Sequence, residues 1–242
     1  MDVDPTKPRS SVDRRVYTYV SIIAALVVFA GFFRTYYLKG AFSTPVLPVL
    51  LHIHGIVMTL WFALFIVQVR LVAVRRTDLH RRVGVIGALL AALVVVVGAA
   101  TAIAAARHGY TPDTPGPPLP PLVFLAIPLV DLLVFATLVT TALLLRHRSD
   151  IHRRLMPLAT LSLLTPAISR IPLDVIHAGG ILLYLGLTVL LVLGCVTFDT
   201  VKNRRLHPAF GWGAGLIIIS LPLRMLLAGT SAWMQFATWL TA

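Results

Sequence analysis

Seven ionisable side chains stand in stretches that are otherwise almost wholly apolar: His52, His54, Asp131, Arg170, Asp174, His177 and Arg224. Charge is costly in an apolar medium, so each marks a candidate site. Four arrangements are open. His54 and His177 suit the two axial positions of a b-type haem. Arg170 and Arg224 would then hold its propionates, because a planar guanidinium matches a carboxylate. His54, Asp131 and His177 suit a divalent metal, since two imidazoles and a carboxylate form a recognised ligand set. The two arginines with His177 suit an anionic or quinone-like small molecule. Finally, Asp131 can pair with Arg170 or Arg224 and simply lock the structure.

Spacing sorts these residues further. His52 and His54 are two apart and point to nearly opposite sides of a helix. His54 shares a seven-residue stripe with Trp61 and Gln68, the better candidate for an interior face. His177 shares a predicted face with Gly180, Tyr184 and Thr188, and Asp174 lies one turn before it. Hence His52, Trp61, Gln68, Asp174 and Tyr184 join the candidate pocket.

The elements that must carry these residues follow from composition. Of 242 residues, 58% are hydrophobic and 12% charged. Soluble domains run at about 45–50% apolar and 25% charged, so a water-soluble enzyme is excluded. One cysteine, Cys195, excludes a disulfide scaffold. No Glu occurs, which removes every Glu-based catalytic motif. The only lysines are Lys7, Lys39 and Lys202, outside the apolar stretches, so no retinal Schiff base forms within a bundle. There is no Gly-rich phosphate loop and no zincin motif.

A bilayer core needs about 20 apolar residues per helix. Seven stretches qualify. They are Val16–Leu38, Pro45–Val74, Val83–Ala106, Leu119–Leu145, His152–Ile171, Asp174–Phe198 and Pro208–Ala228. The fifth is the most polar. Sixteen of the 21 basic residues fall at the N-terminus or in alternate loops, between stretches 2 and 3, 4 and 5, and 6 and 7. The positive-inside rule then predicts N-terminus in and C-terminus out. The predicted class is an all-α polytopic membrane protein with seven transmembrane helices. Residues 1–15 form a cytoplasmic tail, 16–228 the membrane domain, and 229–242 an outer interfacial segment. The formal charge of +12 reads as topology and attraction to anionic lipid headgroups on the cytoplasmic side, not as nucleic-acid binding. Phe32, Phe33, Tyr36 and Tyr37 read as an interfacial aromatic belt. Pro115–Pro118 marks an outer loop that cannot be helical. In the tail, Trp233, Phe236, Ala237 and Leu240 fall on one predicted face. On this topology the seven ionisable residues gather in the outer half, which predicts a polar pocket there.

Three joints look alike. They read Asp78-Leu79-His80-Arg81-Arg82, Asp150-Ile151-His152-Arg153-Arg154 and Arg205-Leu206-His207-Pro208. Arg170 follows His152 by 18 residues, and Arg224 follows His207 by 17. This predicts one helix plus three parallel hairpin repeats. Asp78 and Asp150 are positioned to cap helix starts. Pro208 fits a first helical turn.

The spaced set His52-Ile53-His54-Gly55, Trp61, Gln68, Asp78-Leu79-His80-Arg81-Arg82, Asp131, His152-Arg153-Arg154, Ser169-Arg170, Leu206-His207-Pro208 and Pro222-Leu223-Arg224 resembles a family of uncharacterised bacterial multi-pass membrane proteins. The resemblance covers stretches 2 to 7 and implies a bacterial inner (plasma) membrane. It implies no activity. A looser likeness to small cytochrome b-type bundles rests on the membrane histidines. The functional expectation is a polar ligand or cofactor pocket, in its sharpest form haem-linked redox. The alternatives are a small-molecule transporter or binding protein, a divalent-metal site, and a non-catalytic assembly or scaffold protein.

Overall fold

In lipid, a backbone amide without water must find its partner inside its own segment, and helices are the solution available to a single apolar run. The computed structural model describes residues 11–42, 46–109 and 119–242, and these contain helices and turns with no strand. α1 (Ser11–Phe32) passes into a π-helical turn at Phe33–Tyr37 and a 3-10 turn at Lys39–Ala41. Then follow α2 (Val49–Ala73), α3 (Thr77–His108), α4 (Pro121–Phe124), α5 (Ala126–Leu144), α6 (Ser149–Ser162), α7 (Thr165–Ile168), α8 (Asp174–Asn203), α9 (Pro208–Ala228) and α10 (Ser231–Thr241). Six of these helical runs are long and apolar enough to cross a membrane: Val16–Tyr37, α2, α3, Pro121–Leu144, α8 and α9. The chain is a polytopic helical protein. The extreme N-terminus, Pro45 and the proline run 115–118 lie outside the described residues.

The fifth predicted stretch departs from expectation. It is not one helix but two pieces, α6 and α7, broken at Leu163 and Leu164. α6 has 14 residues. At 1.5 Å per residue that is about 21 Å, short of the roughly 30 Å hydrocarbon core. Proline and hydroxyl chemistry account for the break. Pro157 and Pro166 remove backbone donors. Thr160 Oγ1 donates to the Met156 carbonyl at 3.1 Å, and Ser162 Oγ to the Ala159 carbonyl at 2.8 Å. Such bonds to the preceding turn compete with the helix ladder. From Arg154 to Thr165 every residue except Met156 is buried. Broken backbone is tolerable at membrane depth only inside protein or beside a cavity, and α1, α5, α8 and α9 pack around this segment. The approach is tight at Gly31 of α1, where a Cβ would collide with the Ala167 carbonyl.

α8 is also interrupted. Gly180 has φ 56°, a left-handed conformation that separates Asp174–Gly179 from the rest of the helix. This corrects the predicted face. His177 does not continue the stripe of Tyr184 and Thr188, because the chain turns between them. His177 is exposed, Tyr184 half-buried and Thr188 buried.

The turns α2–α3, α5–α6 and α8–α9, with the helix ends that flank them, carry 11 of the 18 arginines and define a basic end; the opposite end is called the far end. Arg75 and Arg204 both adopt left-handed backbone, with φ 62° and 53°. That costs a residue with a Cβ about 1–2 kcal/mol. The cap residues of α3 and α6 are Arg76 and Arg148, not the predicted aspartates. Asp78 and Asp150 sit inside the first turns, where the helix dipole favours an acid. Pro208 does occupy the first turn of α9, and His207 caps it by accepting the Ala209 amide at Nδ1, 3.2 Å.

The C-terminal segment is a separate helix packed on the far end. The Thr230 hydroxyl caps α10 by accepting the Trp233 amide at 3.1 Å, and the Trp233 indole donates to the Leu122 carbonyl at 2.9 Å. Arg107 donates to the last carbonyls, among them Thr241 at 3.1 Å. Trp233 and Ala237 are buried with Leu240 beside them, while Phe236, expected on the same face, is exposed with Trp239.

Candidate functional site

Two of the predicted intramembrane charges meet directly. Asp131 lies in the second turn of α5 and Arg224 near the end of α9, which places both toward the far end. Arg224 Nη1 is 2.6 Å from Asp131 Oδ1, with the two side chains only 2% and 8% exposed. The arginine is held from below by its own helix. Nε donates to the Ser220 carbonyl and Nη2 to Ser220 Oγ, both at 3.1 Å. Serine four residues earlier is one turn away, so α9 itself aims the guanidinium at α5. One turn along α5, Phe135 meets Trp61 of α2 edge to face, with centroids 5.0 Å apart. The layer is not fully satisfied: Asp131 Oδ2 and Trp61 Nε1 are buried without hydrogen-bond partners among the described residues. A buried polar atom left unpaired is destabilising.

A second buried ion pair lies toward the basic end, where a polar set was not expected. Arg154 of α6 places Nε and Nη2 each 2.9 Å from Asp199 Oδ2 of α8. Nη1 also donates to the Asp150 carbonyl at 2.9 Å, and the guanidinium lies over the Phe210 ring. The Tyr17 hydroxyl of α1 donates to Asp199 Oδ1 at a long 3.4 Å. In the sequence Arg154 reads as part of a basic loop, and Asp199 belongs to no motif. A signal existed. Thr188, Val192, Cys195 and Asp199 follow helical spacing, and all four are buried.

Hydroxyls lie between these pairs along the bundle. Thr165, at the start of α7, shares a hydrogen bond of 3.0 Å with Thr188 of α8, and both are buried. Thr188 Oγ1 is also 3.0 Å from the Tyr184 carbonyl. Thr160 and Ser162 flank the break on the other side.

The remaining predicted residues disperse. His54 is half-buried on α2, and Arg170 is the charged group within electrostatic reach of it. Arg170 is itself exposed, donates to the Pro166 carbonyl at 2.9 Å and lies over the Phe32 ring. His52 faces the Tyr36 ring, and its carbonyl accepts the Tyr36 hydroxyl at 3.1 Å. Asp174 and His177 are exposed at the start of α8. Gln68 belongs to the basic end, where hydrogen bonding sets its amide nitrogen 2.6 Å from His80 Nδ1 and its oxygen on the Gly84 amide. His80 in turn meets the His152 ring edge to face.

This geometry fits poorly to the haem arrangement. α2 packs on α1 and α3, whereas α8 packs on α6, α7, α9 and α1. Arg224 is spent on Asp131, which leaves no second propionate clamp. The metal set also fails to assemble. No group of three His, Cys, Asp or Glu side chains able to hold a metal ion occurs among the described residues. His177 is exposed and Asp131 is buried against Arg224. No family model matches the chain, and no curated protein or solved structure shows significant similarity to it.

Proposed function

We propose that the protein carries a small polar or anionic solute across a membrane, opening its two buried ion pairs in alternation. The observation that carries this reading is the broken, buried α6–α7 segment with an ion pair toward each end of the bundle. Interrupted helices at midmembrane depth are a usual way to present backbone groups and hydroxyls to a solute. Asp131–Arg224 then serves as the far gate and Arg154–Asp199 as the basic-end gate. Thr165 and Thr188 line the path between. The unpaired Asp131 Oδ2 and Trp61 Nε1 supply hydrogen bonding at the far gate.

Several finer features belong to this proposal. α6–α7 is the seventh crossing, which puts the N-terminus on the cytoplasmic side and the C-terminus opposite. The three hairpins α2–α3, α5–α7 and α8–α9 are parallel repeats. The location in this reading is a bacterial plasma membrane.

The test needs no knowledge of the solute. A Thr165→Cys substitution in a Cys195→Ser background is placed in proteoliposomes. A membrane-impermeant maleimide is then added from one side at a time. The reading predicts slow labelling from both sides, although the side chain is buried in the structure. Labelling from neither side overturns it, because a carrier must open its centre to water in turn.

A further inference from the structure

The basic end holds a cavity of about 640 Å³ that the carrier path does not use. It opens between the end of α5, the first turn of α6 and the start of α9. Its rim carries Arg148 and Arg205, both exposed. Half-buried Leu145 and Ile151 give it an apolar floor, and exposed Pro208 and Trp212 extend the apolar lining toward solvent. Pockets of this size accept small molecules or part of a larger amphiphile.

The charges around it do not cancel. Asp150 is the acid in the lining, and His207 engages it, with Nε2 3.2 Å from Asp150 Oδ2. His207 is fixed in that role. Its Nδ1 accepts the Ala209 amide, so the proton sits on Nε2 and points at the carboxylate. Neither Arg148 nor Arg205 has a carboxylate partner among the described residues. Two guanidiniums are thus left facing solvent above an apolar floor. Trp212 is 40% exposed one turn inside α9, the depth at which indoles mark a membrane–water boundary. Leu144 and Leu206, beside the cavity, are 74% and 52% exposed, so its mouth also meets an apolar outer surface.

We infer that this cavity binds an anionic phospholipid, with the phosphate headgroup between Arg148 and Arg205 and an acyl chain leaving past Trp212. A free anion would satisfy the arginines but leave the apolar floor wet. A neutral lipid would fill the floor but leave two guanidiniums facing the single charge of Asp150. A molecule with both parts matches the cavity, and guanidinium is the preferred partner of a phosphate. The inference rests on this cavity alone and stands or falls independently of transport.

The test uses the full chain in detergent with limiting amounts of added lipid, read by native mass spectrometry. Phosphatidylglycerol should be retained at least tenfold better than phosphatidylcholine. Arg148→Gln with Arg205→Gln should abolish that preference. Arg75→Gln with Arg76→Gln, an equal charge loss at another basic turn, should preserve it. Equal retention of the two lipids overturns the inference, as does an equal loss in the control pair, which would indicate diffuse surface charge. Displacement of phosphatidylglycerol by millimolar inorganic phosphate also overturns it, because the site would then be one for a free anion. A second measurement guards against misfolding of the arginine variant. Brominated phosphatidylglycerol should quench wild-type tryptophan fluorescence more than brominated phosphatidylcholine does. That excess should vanish in Trp212→Phe; its persistence there counts against the site.

Discussion

Arg224 heads the large side chains that are less than 2% exposed. A guanidinium in that position survives only because Asp131 and Ser220 meet it on two sides. Removing one partner of a buried pair strands the other charge at a cost of about 3–5 kcal/mol, whereas replacing both with apolar residues is often neutral. Asp131→Asn should therefore lower stability by several kcal/mol in a denaturant titration, and Asp131→Leu with Arg224→Met should recover most of it. If the pair gates transport, the double variant folds and carries nothing. A second residue-scale prediction concerns Asp150, which lies outside the membrane-spanning segments. Burial disfavours its charged form, but the amides at the start of α6 and the His207 ring outweigh it. They hold its carboxyl below the ordinary Asp value of 3.8. A depressed carboxylate contributes stability that is complete above the ordinary value and lost as pH falls through the folded one. Melting temperature should thus drop below about pH 4, the ordinary Asp range. Asp150→Asn should flatten that part of the profile. Because Asp150 is 56% exposed, the effect is small and weakens in salt.

At the scale of elements, the α6–α7 segment decides the interior. Its hydroxyls and prolines were visible in the sequence, but they were consistent with a kinked continuous helix. Just after the break, α7 lies so close to α1 that Gly31 admits no side chain against Ala167. Gly31→Val should destabilise the bundle by about 2 kcal/mol or more, as overpacking against fixed backbone does. Gly215→Ala, where a Cβ meets nothing within 4 Å, should be neutral or slightly stabilising. The two results together separate a packing constraint from a general need for glycine. The positive φ of Arg75 and Arg204 is another element-level compromise. Glycine suits a left-handed position best, yet a membrane surface favours the basic side chain. Arg204→Gly should raise stability by about 1 kcal/mol in the same titration.

For the whole molecule, side accessibility tests the architecture. Cysteines introduced at Arg148 and Asp174, in a Cys195→Ser background, should react with an impermeant reagent from opposite sides of the membrane. Reaction from the same side would show that α6–α7 does not cross. The sequence by itself determined that the chain is helical, apolar and many times membrane-spanning. Those properties depend on composition and run length, which each stretch carries locally. It also marked Asp131 and Arg224 as charges in need of a partner, because lipid makes an isolated charge costly wherever the helices pack. Only the tertiary structure decided that these two pair with each other, that His177 turns outward beyond the Gly180 kink, and that Asp199 meets Arg154. Each of those outcomes depends on which helix faces which, and on a backbone angle at one glycine. Near-continuous apolar helices carry too little periodicity to fix either.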